Sequence, residues 1–263
     1  MSARILHVSD LHAGARDDLS AASGLAALVE RVAPELIVAS GDLTHQGTRA
    51  QHERAASLLK ELGVPVLAVP GNHDIPHTIP ARFASPWAEF ERCWQTTAPV
   101  YASDTLHVVG LNSVRPWRHQ SGGLAGAALL DAAARFEPAA PGALRVAVLH
   151  HQLIGAPWRS RKRPVARRGD VLASLAAAGA ELIVSGHIHQ AAAARRSEFA
   201  VAVEPGRDVT LTVAPGLGQP RPRRRGEACG AMVYEADEQQ LQVETHLWDG
   251  ATWTVVARRL FDR

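Results

Sequence analysis

The sequence predicts an α/β fold with two β-sheets, and two features of the chain lead to this class. Short apolar runs alternate with amphipathic helical patterns over residues 5–69, in the β-α-β-α-β order that is typical of a layered α/β sheet. From residue 199 onward the pattern becomes rich in strands. Because neither a linker nor an internal repeat divides the chain, we expect one domain over residues 1–263.

The individual elements follow from apolar runs for the strands and from the helical apolar period for the helices. The expected strands are 5–8, 36–39, 64–69, 106–111, 144–149, 182–184, 199–203, 209–213, 230–235, 240–247 and 252–260. The expected helices are 20–32, 48–62, 86–95, 125–136 and 169–178. The last two strands form a predicted hairpin, because Asp249 and Gly250 favour a tight turn.

Composition excludes several classes of protein before any motif is considered. With 46% hydrophobic residues the chain is not expected to be disordered, and it has no run of about 18 apolar residues that could cross a membrane. Its two cysteines cannot build a disulfide framework, and no secretory signal is expected at the N-terminus. We therefore expect a cytoplasmic protein with no membrane partner.

The basic residues are concentrated in two segments, although the formal net charge is only +2. Residues 158–168 carry six basic side chains and residues 221–225 carry four, and neither segment contains an acid. The rest of the chain is therefore net acidic. Two interpretations remain open: the segments are solvated loops, or they are a landing surface for an anionic ligand.

Polar side chains that can bind metals follow five of the predicted strands. They are Asp10, His12, Asp42, Asn72, His150, His187 and His189. In an open α/β sheet, ligands bind at the carboxyl ends of the strands, so these side chains are expected to meet at one edge. Carboxylate, imidazole and amide groups suit divalent metals such as Mn, Fe or Zn, and the lack of thiolate ligands argues against a zinc ribbon.

Each of these motifs is unspecific when it is taken alone. The Asp10 and His12 pair could belong to an ordinary turn after a strand, and Gly41-Asp42 could belong to a helix-entry loop. Their joint occurrence, each at a strand end, is not expected by chance. Seven ligands are too many for one catalytic ion with an open position, whereas they suit two ions that share one carboxylate. His151, next to His150, is expected to face outward.

The same residues, in this order, resemble the calcineurin-like metallophosphoesterase superfamily, whose pattern is D-x-H, G-D, G-N-H-[DE], H and G-H-x-H. The chain is most similar to bacterial class III cyclic-nucleotide phosphodiesterases. This resemblance implies a four-layer α/β/β/α sandwich, in which two mixed β-sheets are flanked by helices and residues 199–260 form the second sheet. Two departures from relatives, at Gln152 and at residues 214–218, concern substrate choice rather than metal binding.

The resemblance also implies a role for each residue. One ion would be held by Asp10, His12, Asp42 and His189, and the other by Asp42, Asn72, His150 and His187. His73 would be the catalytic histidine near the phosphate and the leaving group, with its imidazole oriented by Asp74, and Asn72 and His73 would contact the substrate. Residues 151–168, which we call the basic loop, start directly after His150. This position makes Arg161 and Arg163 candidates for binding substrate phosphate.

The implied activity is hydrolysis of phosphate esters by a hydroxide that bridges two divalent ions. The expected enzyme is a phosphodiesterase that acts on cyclic nucleotides or other small phosphodiesters. The alternatives are a nuclease of the same superfamily acting on single-stranded DNA, a phosphomonoesterase, or a non-catalytic scaffold of the same fold. The scaffold fits less well because all seven ligand positions are filled. A homo-oligomer remains possible.

Overall fold

A computed structural model of the protein describes residues 2–15, 20–118, 120–158, 160–199, 208–218 and 220–263. The strands within these ranges are β1 (Ala3–Val8), β2 (Leu36–Ala39), β3 (Val66–Ala68), β4 (Val100–Ala102), β5 (Leu106–Gly110), β6 (Leu144–Val148), β7 (Leu182–Ser185), β8 (Ala192–Arg195), β9 (Thr210–Val213), β10 (Gly230–Ala236), β11 (Gln240–Trp248) and β12 (Trp253–Asp262). The helices are α1 (Ser20–Ser23), α2 (Leu25–Val32), α3 (Arg49–Lys60), α4 (Ala81–Ala84), α5 (Ala88–Trp94), α6 (Gly126–Phe136) and α7 (Arg168–Ala177).

The strands form two mixed sheets of six strands each within the described ranges. The first has the order β12-β11-β10-β1-β2-β3 and the second the order β4-β5-β6-β7-β9-β8. In the first sheet β1, β2 and β3 are parallel, while β10 pairs antiparallel with β1, so that Ile5 lies opposite Tyr234. In the second sheet β5, β6, β7 and β9 are parallel, with antiparallel strands at both edges.

The expectation that residues 199–260 form the second sheet is wrong. Strands β10, β11 and β12 extend the first sheet, and β9 alone of the described later strands joins the second. The reason lies in β1, which uses one edge to pair with β2 and leaves its other edge open for β10. An antiparallel meander can fill that edge through short connections.

Three apolar layers separate the sheets and the helices. Between the sheets, Ile5 and Met232 of the first pack with Val108 and Val146 of the second. On the outer face of the first sheet, Leu28 of α2, Leu59 of α3 and Phe90 of α5 share a cluster with residues of β1 and β2. On the outer face of the second sheet, Phe136 of α6 and Leu175 of α7 do the same. The predicted α/β/β/α sandwich is therefore confirmed.

The predicted elements differ from the observed ones in a few places. The helix expected over 20–32 is interrupted at Gly24, where a Cβ atom would lie 2.7 Å from the ring of Trp248 and whose carbonyl accepts a hydrogen bond from Trp253. Strands β4 and β8 were not expected, because β4 has three residues and β8 is almost entirely alanine, which is depleted in strands. The strand expected at 199–203 lies almost wholly outside the described residues.

The hairpin around Trp248-Asp249-Gly250 is confirmed. Trp248 of β11 lies opposite Trp253 of β12, and the carboxylate of Asp249 accepts hydrogen bonds from the backbone N–H groups of Ala251 and Thr252. Among the helices that the structure describes, none has both the length and the apolar character of a membrane span.

The shared apolar layer predicts that both sheets unfold together, as expected for one domain. Replacing Leu144, which is buried between the sheets, by Ala should lower the free energy of unfolding by about 2–5 kcal/mol. Unfolding followed by far-UV and by near-UV circular dichroism, with a metal chelator present, should show a single transition that coincides for the two signals. The control Leu260→Ala, at a residue that is 60% exposed on β12, should change the free energy by less than about 0.5 kcal/mol. Two separate transitions, of which Leu144→Ala moves only one, would contradict the prediction.

Candidate metal centre

The loops after β1, β2, β3, β6 and β7 meet at the carboxyl ends of both sheets and bring the predicted ligands together. The N–H groups of Asp10 and His12 donate to the carbonyls of Gly41 and Asp42, each at 2.9 Å. From the second sheet, the N–H of His187 donates to Oδ2 of Asp10 at 2.9 Å. All seven predicted ligands are buried. The two sheets therefore contribute to one site.

The backbone of these loops is unusual, since five of the seven predicted ligands have a positive φ. The φ angles are 54° for Asp10, 51° for His12, 50° for Asp42, 74° for His187 and 59° for His189. Non-glycine residues rarely adopt this conformation, which costs about 1–3 kcal/mol at each position. Such residues cluster at functional sites, where surrounding packing imposes them. Here the turns carry five of the predicted ligands into the buried site.

Glycines let the loops approach each other closely. A Cβ atom on Gly186 would lie 1.8 Å from Oγ of Ser9, and one on Gly41, whose φ is 95°, would lie 2.6 Å from the backbone nitrogen of Gly71. Space therefore requires glycine at both positions, and the backbone conformation requires it at Gly41 as well.

Two fully buried clusters of potential metal ligands lie side by side. In the first, Nε2 of His189 lies 2.9 Å from Oδ1 of Asp10, and 3.3 Å from Nε2 of His12. In the second, Nε2 of His150 lies 3.3 Å from Oδ2 of Asp42 and 3.1 Å from Nδ1 of His187.

Asp42 links the two clusters. The Oδ2 atom that faces His150 also lies 3.9 Å from Nε2 of His12, so one carboxylate borders both groups. Its other oxygen, Oδ1, accepts a hydrogen bond of 2.8 Å from the backbone N–H of His73.

The chemistry of the donors fits cations. Nδ1 of His150 donates to the carbonyl of Ser40, and Nε2 of His187 donates to the carbonyl of Gln120, at 2.8 and 3.2 Å. These bonds leave Nε2 of His150 and Nδ1 of His187 facing each other at 3.1 Å. Two lone pairs at this distance repel each other unless a cation or a proton lies between them. Asn72 Oδ1 and Asp42 Oδ2 are buried and receive no well-aligned hydrogen bond. Unpaired acceptors of this kind are costly unless a positive ion compensates them.

The pKa shifts show that the two carboxyl groups of the clusters are ionised. Burial disfavours the charged form of Asp10, but His189, together with His150 and Lys162, more than offsets this and holds the pKa of the carboxyl well below its ordinary value. The same balance, with His150 as the main partner, lowers the pKa of Asp42. Burial opposes a charged His150, yet the Asp42 carboxylate raises the pKa of that imidazole to about 9. The carboxylates are therefore ionised and ready to bind cations.

His73 lies beside the first cluster. Its ring is half-buried and contacts the ring of His12 edge-on, with 4.9 Å between the centroids. Nδ1 of His73 donates to the carbonyl of His45 at 2.8 Å, which leaves Nε2 free of this contact.

The expectation that Asp74 orients the His73 imidazole does not agree with the hydrogen bonds. The carboxylate of Asp74 accepts from the backbone N–H groups of Leu43, Thr44 and Gly71, and from Oγ1 of Thr44. Asp74 thus joins the loops after β2 and β3, because the turn that carries it directs the side chain into the protein. The backbone carbonyl of His45 orients the ring instead.

His151 does not face outward as expected. It is buried, its Nδ1 lies 2.9 Å from Oγ of Ser113, and its ring packs 4.6 Å from that of His187. A histidine that supports a metal-capable neighbour leaves no local pattern in the sequence.

Of the basic loop, Lys162 reaches the centre, whereas Arg161 and Arg163 are exposed. The ammonium of Lys162 donates to the backbone carbonyl of His187. Burial lowers the pKa of Lys162, while the carboxylates of Asp10 and Asp42 act in the opposite direction. Sequence reasoning grouped Lys162 with its neighbours. The available signal was that it is one of two lysines in a chain that otherwise uses Arg.

Comparison with known proteins finds relatives in sequence and in fold. Over 88 residues the chain is 33% identical to a probable cyclic nucleotide phosphodiesterase of Synechococcus sp., an alignment that spans 32% of this chain and only 31% of that relative. Among solved structures, purple acid phosphatase PPD1 of yellow lupin (Lupinus luteus) gives a TM-score of 0.71 at 11% identity, covering 100% of this chain and 54% of the other. A dimetal phosphatase from Danio rerio gives 0.66 at 14% identity, covering 97% and 98%.

These structural similarities concern the fold alone. A family model described as calcineurin-like phosphoesterase matches residues 3–191, which is most of the chain and includes every residue of the two clusters. The resemblance inferred from the sequence is therefore confirmed, and the chain belongs to the calcineurin-like phosphoesterase family.

Proposed function

We propose that the protein is a dinuclear-metal-dependent hydrolase of small phosphodiesters, with cyclic nucleotides as the substrate class. The observation that carries the proposal is the position of the Asp42 carboxylate between two buried groups of metal ligands. Membership of the family supports phosphoric ester hydrolysis. The phosphodiester preference is supported by the partial similarity to a probable cyclic nucleotide phosphodiesterase.

The proposed ligands of the two ions follow the two clusters. One ion would be held by Asp10, His12, Asp42 and His189, and the other by Asp42, Asn72, His150 and His187. Mn²⁺, Fe²⁺ and Zn²⁺ all suit this set of carboxylate, imidazole and amide donors. When bound, the ions would supply positive charge beside the phosphoryl group and lower the pKa of a water molecule toward neutrality.

His73 is proposed to contact the substrate and to protonate the leaving oxygen. Its Nδ1–H is fixed by the carbonyl of His45. The other ring nitrogen, Nε2, would hold the proton that passes to the departing alkoxide. Asp74, by tying the loop of Asn72 and His73 to Thr44, keeps both side chains in place.

The first test is a substrate panel with Mn²⁺-loaded protein. Cyclic nucleotides and aryl phosphodiesters should be hydrolysed with higher kcat/KM than aryl phosphomonoesters, glycerophosphodiesters or single-stranded DNA. Chelation should abolish hydrolysis, and added Mn²⁺ should restore it. Activity that survives chelation would contradict the metal-dependent mechanism, and a preference for monoesters or DNA would contradict the substrate class.

Replacement of the linking carboxylate should disrupt both ion sites. Asp42→Ala should retain at most one metal equivalent per chain and lose more than about 100-fold in kcat, since even outer partners of metal ligands cost 10–100-fold. Metal analysis by mass spectrometry measures the first effect. Asp131→Ala, at an exposed carboxylate on α6, is the matched control and should keep both ions. Two full equivalents in Asp42→Ala would refute the assignment.

The role of His73 predicts a dependence on the leaving group. His73→Ala should keep its metal ions and should slow esters of alkyl alcohols by about 10²–10⁴-fold, because an alkoxide needs a proton as it departs. Nitrophenyl esters, whose leaving group is stable as an anion, should lose much less. Rates measured for both ester classes with one protein sample decide the matter, and an equal loss would indicate that His73 only positions the phosphate.

A further inference from the structure

Two groups of loop residues lie next to the ligand-bearing loops, and we call them the rim segments: residues 156–158 with 160–163, and residues 220–228. Each is tied to the residues around the ligands. The N–H of Trp158 donates at 2.9 Å to Oε1 of Gln190, the residue that follows His189. The N–H of Ala228 donates to the carbonyl of His189 at 3.2 Å. Both segments are therefore held at the same side of the site.

An exposed aromatic ring is fixed on this rim. The side chain of Trp158 is 48% exposed, although its backbone is anchored. A Cβ atom on Gly226, whose φ is 86°, would lie 2.3 Å from Cδ1 of the indole, so the ring packs directly on this glycine. The guanidinium of Arg225 lies 4.7 Å from the ring centroid. An exposed indole held by packing offers a preorganised stacking surface.

Glu227, the acid of the second rim segment, does not neutralise the charge of Arg225. Glu227 accepts from both terminal nitrogens of Arg221, at 2.7 and 2.8 Å, and from the backbone N–H of Arg224 at 2.9 Å. Arg225 instead lies over the indole, where it can also contact a polarisable ring or an anion.

Lys162 lies four residues after Trp158 on the first rim segment. An extended chain spans about 3.5 Å per residue, so at most about 14 Å separates the two Cα atoms. The ammonium of Lys162 reaches the carbonyl of His187. An ammonium has three donors and no acceptor, so it cannot ligate a cation, and its position beside the metal clusters suits the oxygen of an anionic ligand.

We propose that the rim segments form a subsite for a mononucleotide, in which Lys162 binds a phosphate oxygen and Trp158 stacks on the base beside Arg225. This inference rests on the proposed function, because it takes the phosphate to lie at the metal centre. Stacking accepts any base, since every base has a π-face. The subsite therefore distinguishes nucleotides from phosphate esters that lack a base, and not one base from another.

The test compares two ligands that differ by the base. Isothermal titration of Mn²⁺-loaded protein with AMP and with ribose 5-phosphate should show AMP binding about 5- to 150-fold more tightly, the range that one stacked base contributes. Trp158→Ala should reduce this ratio to near one, and Trp158→Phe should retain most of it. Trp117→Ala, at a tryptophan that is 65% exposed on the loop after β5, is the control and should leave the ratio unchanged.

Lys162→Gln should give a different result from Trp158→Ala. Both ligands should bind more weakly by a similar factor, so the ratio stays as in the unaltered protein, and metal content should be unchanged because Lys162 is not a ligand. Equal binding of AMP and ribose 5-phosphate by the unaltered protein, or an equal loss for both in Trp158→Ala, would overturn the subsite. A ten-residue thymidylate strand that binds at least tenfold more tightly than AMP would assign the rim to single-stranded DNA and overturn the mononucleotide.

The outcome is separable from that of the proposed function. The ratio is a binding measurement, so it holds its meaning if no diester is hydrolysed. Conversely, diester hydrolysis together with a ratio of one would support the proposed function and remove the subsite alone.

Discussion

The carboxylate of Asp42 is the contact on which the candidate site depends. Its Oδ2 faces histidines from both clusters, and its Oδ1 accepts a hydrogen bond from the backbone N–H of His73. The backbone carbonyl of Asp42 accepts another from the backbone N–H of His12. Loops from both sheets are thereby held by one residue. The protein forces Asp42 into a left-handed conformation, with a φ of 50°, and places Gly71 where any side chain would collide with it. Strain of this kind persists only where the surrounding packing determines the geometry.

The strands far from the site help to hold it. The ring of His7 on β1 lies 2.8 Å from the hydroxyl of Tyr234 on β10 and 2.8 Å from Oγ of Ser40. Tyr234 in turn contacts Thr212 of the second sheet at 2.7 Å, and the carbonyl of Ser40 accepts from His150. Burial lowers the pKa of His7 to about 3, so it is neutral and can serve as both donor and acceptor. Through this chain of contacts, the added strands of the first sheet stabilise a metal-capable histidine of the second.

Much of the fold and of the site follows from local sequence, and the failures have a common cause. Strand ends that carry Asp10, Asp42 or His187 were predictable, because an apolar run and the polar turn after it are adjacent in the chain. The sheet that contains β10, β11 and β12 was not predictable, because the pairing of β10 depends on which edge of β1 is free. The direction of Asp74 and the burial of His151 likewise depend on contacts with distant loops. Among consecutive basic residues, only the path of the folded loop decides that Lys162 points inward.

The two parts of the site are built differently, and this difference bears on substrate choice. The metal clusters lie in loops that leave buried strands directly, so the core fixes where these loops begin. The first rim segment belongs to a longer excursion that is closed at its base by a hydrogen bond of 3.0 Å from Val165 to the carbonyl of Gln152, and anchored in the core by Leu153 and Ile154. Its base is therefore held independently of its tip, which contacts the second cluster through Lys162. Because Gln152 closes this loop through its backbone carbonyl, replacing its side chain leaves the closing hydrogen bond in place.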